Sequence, residues 1–492
     1  MNNELNPDFR DQDNLLKPEI FKNHANDLLK QSEAIPHKEI LKHLLLKVEP
    51  IDFRKLAELE EDGKLKGSHF RIKSVEEILT LARVNNWGIC QYHDFFYLFN
   101  GTHWSLFDAA ELRSFLGEAA EKMGVHWDKA RDVDFRKKLF EQFKEIGNLP
   151  KPEQTKGKVL INLQNGTFEV TPKGNVLREF RREDFLTYKL PFEYNPAAKA
   201  PIFEAYLNKV LPDVERQKVL AEYLGFVFLP HGTIKLEKVL LLYGSGANGK
   251  SVFYEIVKAL LGNENISEYS LQSLTDIERG GPYRAMIANK LVNYASEING
   301  KLESSLFKAM ASGEPIEAKA LYSQPFIVEN YAKLIFNCNE LPKEVEQTDG
   351  FFRRWLIVPF DVTIPESQQD KQLTYKIISN ELSGVFNWVL DGLNRLIQQQ
   401  NFTQCEAVQR QVDQYKRQSD SVQMFLEDAM YTPDANEYIL VKSLYEEYRQ
   451  YCLEDGFKPV NKTNFKRRME GAKVNIHLKN VGWVAYLKKD EI

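Results

Sequence analysis

Short apolar runs of strand length alternate along this chain with longer stretches whose apolar residues recur every three or four positions, which predicts an α/β organisation. The run Val239 to Tyr243 has the composition of a buried strand, and after Gly244 to Ser251 the residues Val252, Ile256, Val257, Leu260 and Leu261 recur at helical spacing. Two further strand-like runs follow, Lys290 to Ile298 and Ala332 to Asn339, and another begins at Trp355. Upstream the texture is mixed. A helix is expected over Val75 to Val84, then a hairpin of Phe95 to Phe99 with Thr102 to Phe107, turning at Asn100-Gly101. His103 and Trp104 in that hairpin read as core. Helices over Ala109 to Met123 and Asp132 to Ile146 come next, then a β-rich stretch from Val159 to Val170 and helices over Phe203 to Val210 and Glu215 to Phe228.

Downstream, residues 376–400 carry Ile377, Ile378, Leu382, Val385, Val389 and Leu393 at helical spacing, and the polar, glutamine-containing stretch to Asp420 reads as a linker helix. The last segment predicts three helices (Val422 to Met430, Leu440 to Asp455, Thr463 to Met469) and then strands near Lys473 to Leu478 and Trp483 to Leu487. Helix, helix, helix and hairpin is the order of a winged helix. The pattern divides into 1–74, a helical arm or small domain; 75–232, an α+β domain; 233–375, the P-loop domain; 376–420, a helical linker; and 421–492, the winged helix.

At 492 residues the chain can bury several cores, and its formal charge of −5 excludes a uniformly basic nucleic-acid binder, so any such surface must be a local patch. The four cysteines (Cys90, Cys338, Cys405, Cys452) are far apart, which excludes a zinc ribbon or a disulfide framework and fits a reducing cytosol. No apolar run approaches membrane-spanning length, and no leader pattern opens the sequence. A cytoplasmic protein without a membrane partner is expected.

The candidate chemistry starts at Gly244-Ser245-Gly246-Ala247-Asn248-Gly249-Lys250-Ser251, which fits G-x-x-x-x-G-K-[ST] between a strand and a helix. Gly244, Gly246, Asn248 and Gly249 would let backbone N–H groups face phosphate, Lys250 would reach the β and γ phosphates, and Ser251 would give its hydroxyl to Mg²⁺. ATP with Mg²⁺ is therefore the expected ligand. Glu297, at the end of the second core strand, is placed to act on metal and water, and Asn339, ending the third, could orient water or touch the γ-phosphate. Arg353 and Arg354 precede the last core strand. One of them could reach a neighbouring subunit's γ-phosphate, and the sequence leaves open which. A hairpin expected within Ala311 to Val328 carries Lys319 and Tyr322, a cation and a ring suited to single-stranded DNA. Lys462, Lys466, Arg467 and Arg468 put positive charge on the presumed recognition helix.

In this order the motifs resemble the helicase part of the phage and plasmid primase-helicase family, superfamily 3 of the AAA+ ATPases, related to the poxvirus primase-helicase. The resemblance rests on the P-loop with Asn248, on Ser296-Glu297, on Asn337 to Pro342 and on Phe352 to Trp355, with Asn165-Gly166-Thr167 and Glu222 to Gly225 ahead of them. It implies an AAA+ core and an ATP-driven ring, expected as a hexamer, moving 3′ to 5′ on single-stranded DNA and opening forks during replication of a mobile element. It also implies roles: Lys250 and Ser251 on phosphate and Mg²⁺, Glu297 polarising water, Asn339 as sensor, Arg353 or Arg354 as finger, and Lys319 on DNA. Ser296 stands where many members have a second acid. Residues 1–74 lack the acidic ligands of a priming domain, so priming would fall to a separate primase or polymerase. Two other functions fit the same motifs: an initiator or loader using ATP for ring assembly on origin DNA, and a nucleotide-dependent scaffold.

Overall fold

The computed structural model describes residues 37–490 apart from 61–62, 86, 93–94, 148–157, 172–173, 297, 299–301, 320–323 and 343–344. The first unit is helical with a small antiparallel sheet. Helices His37–Leu46, Gly67–Val84, Ala109–Lys122 and Val133–Ile146 surround strands Gly88–Tyr92, Phe95–Phe99 and Trp104–Leu106. The hairpin turns where the Asn-Gly pair predicts: Asn100 Oδ1 accepts from the Thr102 and His103 amides, and Gly101 takes φ +92°. His103 and Trp104 are buried, and the indole N–H donates to the Arg182 carbonyl at 2.8 Å. Ile40, Leu44 and Phe53 share one core with Val75, Ile78, Leu116 and Phe143. A division at residue 74 therefore cuts through both a helix and a core.

The next segment, expected to go with the first, packs instead on the P-loop domain. Strands Val159–Leu163, Gly166–Thr171 and Gly174–Arg178 form a meander whose Phe168 lies against Phe386. Two helices follow, α1 (Pro201–Val210) and α2 (Val214–Phe226), and α2 lies tightly on a helix from far downstream, α4 (Leu382–Gln399). Glycine permits that approach. A Cβ at Gly225 would sit 2.7 Å from the Leu393 backbone, and one at Gly392 would sit 2.3 Å from the Ala221 carbonyl carbon. The carboxylate of Glu222, wholly buried here, accepts from Arg395 Nε at 2.6 Å and the Thr403 amide at 2.7 Å, so the Glu222 to Gly225 motif is a clasp between these helices.

The core is a five-stranded parallel sheet: β1 (Val239–Tyr243), β2 (Ile266–Ser267), β3 (Val292–Ser296), β4 (Lys333–Cys338) and β5 (Trp355–Pro359). Their spatial order is β5-β1-β4-β3-β2, every pair parallel. These strands are near-continuous apolar runs because both faces are covered, one by α3 (Lys250–Leu261) and its neighbours and the other by a second core around Phe307, Phe351 and Trp355. The expected linker is not a free connection. Helix α5 (Glu406–Gln418) lays Val412 and Tyr415 into the second core beside β5, Lys416 pairs with Asp349 at 2.6 Å, and Gln347 donates to the Ser419 carbonyl at 2.9 Å.

The C-terminal unit has its own core of Val422, Phe425, Leu444, Tyr448, Phe465 and Met469. It comprises α6 (Ser421–Asp428), β6 (Tyr431–Pro433), β7 (Ile439–Leu440), α7 (Val441–Glu454), α8 (Lys462–Gly471), β8 (Ile476–Lys479), β9 (Gly482–Ala485) and β10 (Leu487–Lys489). Strands β7, β9 and β8 make one antiparallel sheet in that order, and β6 pairs with β10.

Candidate active site

The loop after β1 is held from three sides. The Ala247 carbonyl accepts from the Ile364 amide at 2.7 Å, the Gly249 carbonyl accepts from the Tyr206 hydroxyl at 2.8 Å, and Asn248 donates to the Phe360 carbonyl at 2.9 Å. Gly246 and Gly249 take φ of +107° and +89°, open to glycine at no cost. A Cβ at Gly244 would meet Asn248 Nδ2 at 2.2 Å, and one at Gly249 would meet Val210 Cγ1 at 2.7 Å. Lys250, at the N-terminus of α3, is buried, and its ammonium donates to the Gly244 carbonyl at 2.6 Å and to Asn248 Oδ1 at 3.1 Å. Burial pulls its pKa below the usual lysine value, and its hydrogen-bond partners among the described residues are these dipoles rather than a carboxylate. An ammonium dehydrated against dipoles alone is matched by an anion brought from outside. The exposed Ser251 completes a donor set that fits Mg²⁺ and a triphosphate.

Register places other candidates at the same edge. Cys338 is level with Tyr243 across β4 and β1, and Asn337 is level with Ser296 across β4 and β3. The P-loop, Asn339 and the end of β3 therefore all leave from the carboxyl ends of the strands, the edge where open α/β sheets bind ligands. Asn339 is exposed there, and the Asn337 side-chain oxygen accepts from the Tyr294 hydroxyl at 3.0 Å. Glu297 lies outside the described residues, as does Tyr322.

The two arginines sit at the opposite edge. Trp355 pairs with Val239, so Arg353 and Arg354 stand beside the start of β1. Four strand steps separate that level from Tyr243, roughly 13 Å. Arg354 is buried and spent within its own subunit: it donates to Ser312 Oγ at 3.0 Å, pairs with Glu237 at 3.1 Å and bonds the Gly350 carbonyl. Arg353 shares Glu237 at 3.0 Å, but its side chain is 64% exposed. Of the two arginines, only Arg353 presents its side chain to solvent.

Lys319 is exposed just past the first strand of an antiparallel hairpin, Ile316–Ala318 with Phe326–Val328, which Arg284 anchors through the Glu317 carbonyl at 2.7 Å. On α8, Lys462 and Arg467 are exposed and Lys466 is half-buried. Arg468 departs from expectation: its guanidinium turns inward onto Asp420 at 3.2 Å, so it braces α8 against the start of α6. Sequence reasoning missed Tyr206 and Glu237, since a tyrosine within a helix and an acid before a strand carry no motif.

These observations define a multidomain α/β chain organised around a Gly-Lys-Ser loop on a parallel sheet. Comparison with known proteins finds segments similar to three families. Residues 78–212 match the family described as D5 N terminal like, residues 417–490 match Poxvirus D5 protein-like, and residues 242–354 match a family of unknown function, DUF5906. D5-type segments therefore match on both sides of the loop. It is 27% identical over 210 residues to a candidate helicase of Acanthamoeba polyphaga mimivirus, L207/L206, covering 41% of this chain and 22% of that protein. It is 23% identical over 263 residues to a candidate helicase, 121R, of Invertebrate iridescent virus 3, covering 47% and 27%. The chain therefore spans about a quarter of the length of these relatives. Among solved structures, the C-terminal region of NrS-1 aligns with 84% of this chain and 98% of its own, at 12% identity and a TM-score of 0.45. Among the described residues no helix is long and apolar enough to cross a membrane.

Proposed function

We propose that this chain is an ATP-driven DNA helicase acting in replication of a mobile element, a ring whose hydrolytic sites form between copies. The observation that carries this is the separation of two groups over the edges of the sheet: the loop with Lys250, which has no carboxylate partner among the described residues, at one end and an exposed Arg353 at the other, too far apart to meet within a subunit. The β5-β1-β4-β3-β2 order, with the loop on the strand next to the edge, supports an AAA+ core. In this reading Lys250 binds phosphate, Ser251 and Glu297 hold Mg²⁺, Glu297 orients water, Asn339 senses the γ-phosphate, and Arg353 stabilises charge in the neighbouring site. Bound there, Mg²⁺ neutralises phosphate charge during phosphoryl transfer. Lys319, with Tyr322, contacts single-stranded DNA in the ring. The family resemblance supports a hexamer, 3′ to 5′ movement and a separate primase or polymerase as partner.

The C-terminal unit supports a winged helix, since β7 lies between α6 and α7 and pairs with the second hairpin strand. The basic helix α8 favours a second function, a loader that binds origin duplex and uses ATP only to assemble. Unwinding of forked duplexes with a 3′ or a 5′ tail separates the two. The helicase opens the 3′-tailed fork with ATP and fails as Lys250→Ala; hydrolysis without opening of either fork would establish the loader instead.

A further inference from the structure

The hairpin of β8 and β9 extends past the domain it belongs to. Ile476 and Ala485 pair across it on the face packed against the core of the C-terminal unit. Two residues on, the same face carries the next pair, Leu478 and Trp483, which the core does not cover. Leu478 is 67% exposed and Trp483 46%, and Val481 in the turn is 62% exposed. Lys466 reaches up from α8 to stand 3.8 Å from the centre of the Trp483 ring, and the turn is tightened by Gly482 at φ +114°. This apolar tip stands on the basic segment of a unit that is balanced overall, with eleven lysines and arginines against eleven acids over residues 421–492. Residues 456–489 hold nine lysines and arginines against one acid, Glu470, in a chain whose total is −5.

We infer that this tip is a base-stacking site for unpaired nucleotides where duplex DNA opens, resting on the DNA-motor function proposed above. Charge selects the class of partner, because the segment that bears the tip has a formal charge of +8, offset in part where Arg468 pairs with Asp420, and so favours a polyanion. The apolar pair selects the part of the polyanion. Phosphates and sugars offer Leu478 and Trp483 nothing to bury against, whereas unstacked bases present flat apolar faces. Lys466 adds a cation where the strand's phosphates would run beside the indole, and exposed Lys462 and Arg467 continue that line along α8. Basic helix and apolar tip together fit a fork junction better than uninterrupted duplex.

The test is equilibrium binding of the full chain, without nucleotide, to a fluorescent fork, a single strand and a blunt duplex of matched length. A fork with 2-aminopurine at the junction reports stacking directly. Trp483→Ala is expected to weaken fork and single-strand binding about fivefold to a hundredfold while leaving blunt duplex within about twofold, and to abolish 2-aminopurine quenching that Trp483→Phe retains. Leu478→Ala gives a smaller loss of the same kind and serves if the tryptophan variant misfolds. Equal loss on all three DNAs, or no loss on any, overturns the inference. So does a Trp483→Ala variant that binds DNA normally but sediments as a smaller species, which would make the tip a contact between copies. Wild-type protein that binds none of the DNAs would bring down the motor proposal as well, whereas wild-type binding unchanged by Trp483→Ala would bring down this inference alone.

Discussion

The two edges of the parallel sheet treat positive charge in opposite ways. At the carboxyl edge Lys250 is buried among a carbonyl, an amide oxygen and the start of a helix, and among the described residues no acid offsets it. At the amino edge Arg353, Arg354 and Lys235 gather round the single carboxylate of Glu237, with Lys238 bonding the Arg353 carbonyl. Among the described residues the first arrangement lacks a negative charge and the second has cations to spare. In the function proposed above, one edge would receive phosphate and the other donate a cation, with the length of a strand keeping them from completing each other within one copy.

The largest test of this contrast is activity. Lys250→Ala and Arg353→Ala are each expected to lower ATP turnover by about a thousandfold or more. Mixing the two variants restores measurable turnover, because some mixed contacts join an intact loop to an intact arginine; steady-state hydrolysis at several mixing ratios reads this out. Next comes stability. Arg354→Ala removes a buried partner of Glu237 and Ser312 and is expected to cost about 3 kcal/mol in urea unfolding, while Arg353→Ala at its exposed position costs under about 1 kcal/mol. The clasp away from either edge gives a comparable or slightly smaller loss: Gly392→Ala forces a Cβ against the Ala221 carbonyl and is expected to destabilise by about 2 kcal/mol without changing nucleotide affinity.

The smallest effect concerns a second buried lysine, Lys333 at the amino end of β4. Its amine lies 2.9 Å from His231 Nδ1 and over the Phe226 ring, and burial draws its pKa down to about 7. His231, whose other nitrogen donates to the Tyr331 carbonyl, is held down to about 3 by burial and by Lys333. An unfolded lysine titrates near ~10.4, so between about 7 and that value the unfolded chain binds the extra proton and stability rises with pH. A modest rise in melting temperature from neutral to mildly alkaline pH is expected, and Lys333→Met should flatten it. Unlike Lys250, this lysine meets its missing counter-charge by losing a proton.

Much of this was legible in the sequence where a function constrains local chemistry. Gly244 to Ser251 needs its residue types in a fixed order, and the runs that became β1, β3, β4 and β5 are apolar throughout because both faces of the sheet are covered. What could not be read depends on partners distant in sequence. Helix α5 looks like a solvated connection because Val408, Val412 and Tyr415 are a thin stripe among charges, yet that stripe is enough to dock it. Arg353 and Arg354 are adjacent and identical in type, and both pair with Glu237; it is Ser312, 42 positions before Arg354, that draws Arg354 inward and leaves Arg353 exposed. Arg468 shares a helix turn with Arg467 and faces the other way, toward Asp420. Trp483 fits a strand pattern, and nothing local shows that the core stops short of it.

The docking of α5 has a mechanical consequence. Tyr415 stacks edge-on against Phe352, Lys416 holds Asp349, and Asp420, the residue that starts α6, is gripped by Arg468. The turn that carries Arg353 is thus joined to the C-terminal unit by a helix pinned at both ends. In the function proposed above, a pull on Arg353 by a neighbouring copy would reach the far unit as a swing, and the hairpin tip would move in step with the hydrolytic cycle.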